Sequence, residues 1–237
     1  MNGEARVSSA LTSQLLHGEV VQLLESNGEW RRVAGPDGYE GWMHSGYLMA
    51  CSGSEATWRL SLGCITRGAT GALRRLPLGA RLSPSDEVVD GVVIPASDQA
   101  ERFPRDIDAI AKSASSLFSG APYVWGGVSP WGTDCSGLVQ RVFALHGVQL
   151  PRDAWQQADA SNRLTTNTID EHAPGDLFFF SDREDKRITH VAVALSERRF
   201  VHSALMRGGV AIERLDDADA YMGRLRSQWI ATNRVAI

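Results

Sequence analysis

The sequence predicts an α+β protein: two small β-barrels, followed by a domain in which helices pack against an antiparallel sheet. Three observations predict it. Residues 1–103 break into short strand-like runs separated by Gly, Pro and Asn turns. Helical apolar spacing begins only after Pro104. Beyond Gly175, apolar runs of strand length return between polar turns.

In residues 1–50, Glu19–Glu25 reads as a strand and Ser26-Asn27-Gly28 as a hairpin turn. Trp30–Val33 reads as the returning strand, and Pro36-Asp37-Gly38 turns into Tyr39–Trp42. Residues 51–103 have the same texture at Arg75–Leu82 and Gly91–Pro95, and Leu76-Pro-Leu-Gly-Ala80 echoes Leu15-Leu-His-Gly-Glu19. A boundary falls at Phe103-Pro104. Pro104 suits a first helical turn, Ile107, Ile110, Ala111, Ala114, Leu117 and Phe118 share one helical face, and Gly120 closes it.

Residues 121–137, Ala-Pro-Tyr-Val-Trp-Gly-Gly-Val-Ser-Pro-Trp-Gly-Thr-Asp-Cys-Ser-Gly, form an aromatic, Gly-rich loop that ends where a second helical face begins at Leu138, Val139, Val142 and Phe143. Gly147 stops that helix, so Cys135 falls in its first turn. There the free N–H groups and the dipole favour a thiolate and lower the thiol pKa. A nucleophile also needs a base within about 3 Å and a group to orient that base. His190 and His202 are the candidates, each in a strand-like run.

Strands are expected at 176–181, 188–195, 199–204, 209–215 and 228–234. In the second of these, His190, Ala192 and Ala194 share a face. The small alanines are expected to let the cysteine helix approach the histidine. Zinc binding by Cys135, His190 and His202 is the competing chemistry, but Cys-x-x-Cys and His-x-x-x-His spacings are lacking, so no metal is assigned. His17, His44, His146 and His172 match no motif.

The formal charge of −4 gives no broad basic surface, so nucleic acid is not an expected partner. Apolar runs such as Leu177–Phe180 and Val191–Leu195 are too short to span a bilayer, and no membrane partner is expected. Met-Asn-Gly-Glu-Ala-Arg-Val-Ser lacks a hydrophobic signal core, which predicts a cytoplasmic protein, or a secreted one if a leader has been removed. Of the three cysteines, Cys51 and Cys64 are expected to be buried free thiols, with a disulfide between them the alternative.

Pro-Tyr-Val-Trp-Gly-Gly, Asp-Cys-Ser-Gly-Leu-Val-Gln, Leu-Pro-Arg-Asp, Pro-Gly-Asp-Leu, Thr-His-Val-Ala-Val and Val-His-Ser resemble, in order, the NlpC/P60 family of cysteine peptidases. Gly-Glu-Val-Val, Gly-Glu-Trp, Asp-Gly-Tyr-x-Gly-Trp and His-Ser-Gly-Tyr-Leu resemble a bacterial SH3 domain. The resemblance implies an SH3-like domain at 1–50, a looser second one at 51–103, and a papain-like NlpC/P60 catalytic domain at 104–237. It implies Cys135 as nucleophile, His190 as base and His202 as orienter, with no cofactor.

Together with paired SH3 domains, it implies an endopeptidase of murein-peptide recycling. Such an enzyme cuts the γ-D-glutamyl bond to a diamino acid in tri- or tetrapeptides with a free N-terminal L-Ala, the first SH3 domain closing the cleft. A buried ammonium needs paired acceptors, and an N-acylated peptide would clash. Asp134, Tyr39 and Glu19 are the acceptor candidates, Tyr123 and Ser136 line the pocket, and Arg152 is a candidate partner for the D-Glu carboxylate or for a neighbouring acid. Where the family often has serine after Pro-Arg-Asp, this chain has Ala154. A secreted wall hydrolase and a non-catalytic wall-binding module are the alternative readings.

Overall fold

The computed structural model describes residues 1–50, 58–68, 70–165 and 171–237. They divide into two compact units, Met1–Arg102 and Phe103–Ile237.

In the first unit, β1 (Gln22–Asn27), β2 (Trp30–Ala34) and β3 (Glu40–His44) form an antiparallel meander. Asn27 pairs with Trp30, leaving Gly28 and Glu29 as a two-residue turn, and Gly28 adopts the φ of 56° that such a turn requires. Strand β1 starts at Gln22 rather than Glu19. The Glu19 carboxylate instead accepts the Leu16 N–H at 2.8 Å and closes a turn. Tyr39 enters β3 partly buried, its N–H donating to Asp37 Oδ1 at 3.0 Å.

A second sheet, in the order β5-β4-β6, is built from β4 (Arg59–Arg67), β5 (Leu73–Leu82) and β6 (Glu87–Pro95), and α1 (Gln99–Arg102) follows. Leu60, Cys64, Leu76, Leu78, Ala80 and Leu82 are among its buried residues. Pro77 is tolerated because β5 is an edge strand. Leu76–Ala80 lies inside β5, whereas Leu15–Glu19 is a turn before β1, so that sequence echo is not an echo of local structure. Cys64 is a buried free thiol that takes a hydrogen bond from Ser61 Oγ at 3.4 Å; Cys51 lies outside the described residues.

The second unit begins with α2 (Ile107–Ser116). Asp106 caps it by accepting the Ala109 N–H, and Ile110, Ala111 and Ala114 are its buried stripe. A short hairpin, β7 (Val128–Ser129) and β8 (Gly132–Thr133), leads into α3 (Cys135–Leu145), whose Leu138, Val139, Val142 and Phe143 are fully buried. Then come α4 (Ala154–Asp159), β9 (Asn162–Arg163), β10 (Leu177–Phe180), β11 (His190–Ala194), β12 (Arg199–Ala204), β13 (Gly209–Arg214), α5 (Ala220–Gln228) and β14 (Trp229–Arg234). The six-stranded sheet runs β13-β12-β11-β10-β14-β9, antiparallel throughout. Among the described residues no helix is long and apolar enough to cross a membrane.

Ala192 and Ala194 do not make room for the cysteine helix. They join a cluster with Phe178, Phe180, Phe200 and the α5 residues Met222 and Leu225, which contains no α3 residue. Large aromatics on β10 and β12 need small partners between them, and that decides the alanines. Helices α4 and α5 were not legible in the sequence. Each buries only a pair of side chains, Ala154 and Gln157 in α4 and Met222 and Leu225 in α5, so the apolar period is faint.

Candidate active site

Asp134 is the N-cap of α3, and its carboxylate organises the first turn. Oδ1 accepts the Gly137 N–H at 2.7 Å and Oδ2 the Gly126 N–H at 2.8 Å. Arg152 reaches both oxygens, Nη1 to Oδ1 at 3.0 Å and Nη2 to Oδ2 at 2.6 Å, in a two-pronged charge-assisted pair. The Arg152 side chain is 1% exposed. Its Nη1 also donates to Ser136 Oγ at 2.8 Å. Gln157, a residue no sequence motif marked, ties the same turn to the segment before α4, its Nε2 donating to the carbonyls of Ser136 and Pro151.

These bonds give Asp134, Ser136 and Arg152 one shared structural duty. Asp134 already receives four strong donors, the number of lone-pair sites a carboxylate offers. Of the two partners envisaged for Arg152, a substrate carboxylate or a neighbouring acid, an acid is present: Asp134 holds the guanidinium through both of its oxygens. Asp153 sits at the start of α4, where its N–H donates to Gln156 Oε1, and Ala154 is buried behind it.

Cys135 opens α3 and is buried. Burial, followed by the Asp134 charge, pushes its thiol up to about 12. The backbone N–H groups of Val191 and Ser136 reach the sulfur and act the other way, without reversing the outcome. The expectation of a lowered thiol pKa therefore fails in this state: loss of water around the sulfur outweighs the helix start.

Val191 directly follows His190, so the sulfur lies against the backbone at the start of β11. His190 is partly buried, and its Nε2 is 2.9 Å from Nδ1 of the fully buried His202, the rings meeting edge to face. With Nε2 so engaged, Nδ1 is the nitrogen His190 has left for another partner. Burial, and secondarily the neighbouring His202, holds the His190 pKa well below the usual value. Both shifts favour a neutral thiol beside neutral imidazoles.

The loop before α3 is pinned to the sheet that carries the histidines. Tyr123 N–H donates to the Gly208 carbonyl at 2.9 Å, Val210 N–H to Ala121 at 2.9 Å, and Ser203 Oγ to Thr133 at 2.7 Å. The Tyr123 phenol is half-buried, and its pKa is raised by burial first and then by the charges of Cys135 and Asp134. Tyr39 and Glu19 belong to the first unit, where Glu19 has the turn-closing bond already described.

Beyond His202 the structure adds residues the sequence did not single out. Glu213 on β13 puts Oε1 3.9 Å from His202 Nε2 and receives Arg207 Nε at 2.5 Å. Tyr221 of α5 lies against both, its ring 6.2 Å from that of His202 and 4.4 Å from the Arg207 guanidinium carbon. An acid in a strand carries no periodic signal, so only the fold could reveal Glu213.

The NlpC/P60 family profile matches residues 120–225, and that of the bacterial dipeptidyl-peptidase Sh3 domain matches residues 4–48. The chain is 30% identical over 226 residues to the gamma-D-glutamyl-L-lysine dipeptidyl-peptidase of Bacillus subtilis, covering 82% of this chain and 73% of the relative. It is 43% identical over 88 residues to the bifunctional muramidase/DL-endopeptidase CwlT of the same organism, a match to 36% of this chain and 26% of that protein. Its fold is that of an NlpC/P60 family protein from Bacillus cereus, with a TM-score of 0.76 over 94% of this chain and 81% of the other at 22% identity. With the cysteine at a helix start, the histidine pair on the sheet, and this extent of similarity, the chain belongs to the NlpC/P60 family of cysteine peptidases, preceded by a bacterial SH3 domain.

Proposed function

We propose that the protein is an endopeptidase hydrolysing the γ-D-glutamyl–diamino acid bond of murein peptides that carry a free N-terminal L-Ala. The observation that carries this is the His190–His202 pair, 2.9 Å apart, at the point where the Cys135 sulfur meets β11. The relative named for γ-D-glutamyl-L-lysine dipeptidyl-peptidase activity supports the choice of bond. The same reading takes the β4–β6 sheet as a second SH3-like module, on the strength of its three antiparallel strands.

In this mechanism Cys135 Sγ attacks the γ-carbonyl of D-Glu as its proton passes to His190 Nδ1. The two groups rest neutral, so proton transfer accompanies attack instead of preceding it. His202 Nδ1 accepts from His190 Nε2 and holds the imidazolium in place. The backbone N–H of Cys135 stabilises the oxyanion, a donor typically worth about 3 kcal/mol. His190 then protonates the departing diamino-acid amine, leaving a thioester of L-Ala-γ-D-Glu on Cys135. Water, deprotonated by His190, cleaves that thioester.

The test is incubation with L-Ala-γ-D-Glu-L-Lys, its meso-diaminopimelate counterpart and their N-acetylated forms, followed by mass spectrometry. Release of L-Ala-γ-D-Glu from the free-amine peptides alone is expected, and Cys135→Ala abolishes it. Equal cleavage of the acetylated peptides would defeat the free-amine requirement, and full turnover by Cys135→Ala the chemistry. On this reading the peptides meet the enzyme in the cytoplasm. Activity confined to the culture medium, with clearing of intact walls, would favour a secreted wall hydrolase.

A further inference from the structure

The proton inventory of the histidine pair leads one residue further. For His190 to accept the thiol proton on Nδ1, its own proton must sit on Nε2, where it donates to His202 Nδ1. His202 must then carry its proton on Nε2. That atom is buried and has no hydrogen-bond partner among the described residues, and Glu213 Oε1 stands 3.9 Å from it. The sheet builds this approach. His202 pairs with Ala211 and Phe200 with Glu213, so Glu213 lies diagonally across from His202 on the same face of neighbouring strands.

We propose that Glu213 is a positioning residue that fixes the His202 proton on Nε2, and that Arg207 tempers it by competing for the same carboxylate. The proposal rests on the cysteine-peptidase reading of the site. Glu213, Asp217 and Asp219 bring oxygens within 4.8 Å of one another, but Arg207 bonds Glu213 at 2.5 Å and Asp219 at 3.4 Å, so this acidic cluster already has its cation.

Among the described residues, few titratable or charged groups face His202. His190 comes from β11, Glu213 from β13, Arg207 from the turn after β12, and Tyr221 from α5, with Asp219 behind Arg207. His202, and then Arg207, holds the Glu213 carboxyl below its usual range, so it is ionised at neutral pH. Burial lowers the His202 pKa and Glu213 opposes that fall, whereas Arg207 adds to it. The two side chains thus act on the His202 imidazole with opposite sign. When His190 takes the thiol proton, its positive charge stays on that ring, where the Glu213 carboxylate beyond His202 stabilises it.

The experiment uses the full chain with Glu213→Gln and Arg207→Met. It records kcat and KM for L-Ala-γ-D-Glu-L-Lys against pH, and long-range proton–nitrogen NMR correlations of the imidazole rings. In the wild type, His202 is expected to carry its proton on Nε2. Glu213→Gln should move the acid limb of kcat/KM to lower pH by about one unit, lower kcat about tenfold with KM unchanged, and mix the His202 tautomers. Arg207→Met should move the acid limb the other way. Acid limbs that superimpose on the wild type in both variants would overturn the proposal, as would a wild-type His202 proton on Nδ1. If Glu213→Gln does not fold, the partly exposed Arg207 and the wild-type tautomer decide. A wild-type chain that cleaves no peptide sinks the peptidase reading, and the tautomers of wild type and Glu213→Gln still decide the role of Glu213.

Discussion

The ionisation state of one sulfur governs how this site works. At a helix start a thiol is expected to be acidic, yet burial and the adjacent Asp134 push Cys135 up to about 12. Alkylation by iodoacetamide should therefore be slow at about pH 7 and keep rising through about pH 10. A rate already flat at acidic pH would mean a resting thiolate–imidazolium pair and would contradict the neutral ground state. The neighbouring ion pair makes a second prediction. Arg152 and Asp134 are both buried, so Arg152→Met strands a carboxylate and should cost about 3–5 kcal/mol of unfolding free energy, seen as a lower denaturation midpoint. An unchanged midpoint would mean that Asp134 is satisfied by its backbone donors alone.

The helix α3 acts as a unit because its first turn is crowded on every side. A Cβ on Gly137 would run into the carbonyl oxygen of Gly127, backbone that cannot swing aside. Gly137→Ala should cost about 1–3 kcal/mol by overpacking and depress kcat, since Cys135 rides on the same turn. Gly223 in α5 provides the contrast, because among the described residues, the local helix backbone aside, nothing lies within 4 Å of the place a methyl group would take there. Gly223→Ala should stabilise by about 0.4–1 kcal/mol with activity unchanged. Thermal melts of the two variants moving in the same direction would refute this account of α3. These elements were unequally legible. Helix α3 announced itself through Leu138, Val139, Val142 and Phe143, whereas α5, with Met222 and Leu225 alone turned inward, exists because the sheet supplies an apolar face for it.

Across the whole molecule, stability carries the imprint of buried imidazoles. His146, held between the Pro104 carbonyl at 2.6 Å and Ser113 Oγ at 2.9 Å, has its pKa lowered by burial, as do His190 and His202. A base whose folded pKa is depressed stays neutral in the fold while the unfolded chain takes up protons. Its contribution is complete above the unfolded value of about 6.5 and declines as pH falls from there toward the folded value. The unfolding free energy should thus fall between about pH 7.5 and 5, by at most about 1.4 kcal/mol per pH unit for each such histidine. Chemical denaturation across that range measures it, and a flat profile would show that these rings are not held neutral.

From the residues alone one could read Cys135 at a helix start, the histidines at 190 and 202, the strands that carry them and the change of texture at Phe103-Pro104. Those features depend on neighbours close in the chain: a cap, an apolar period, a turn. The state of the thiol, the partner of Asp134 eighteen residues away, the packing of Ala192 and Ala194 against phenylalanines, and the approach of Glu213 to His202 were decided only by the tertiary structure. Burial and long-range charge are properties of segments brought together, and no local pattern encodes how much water a sulfur or an imidazole loses when they meet.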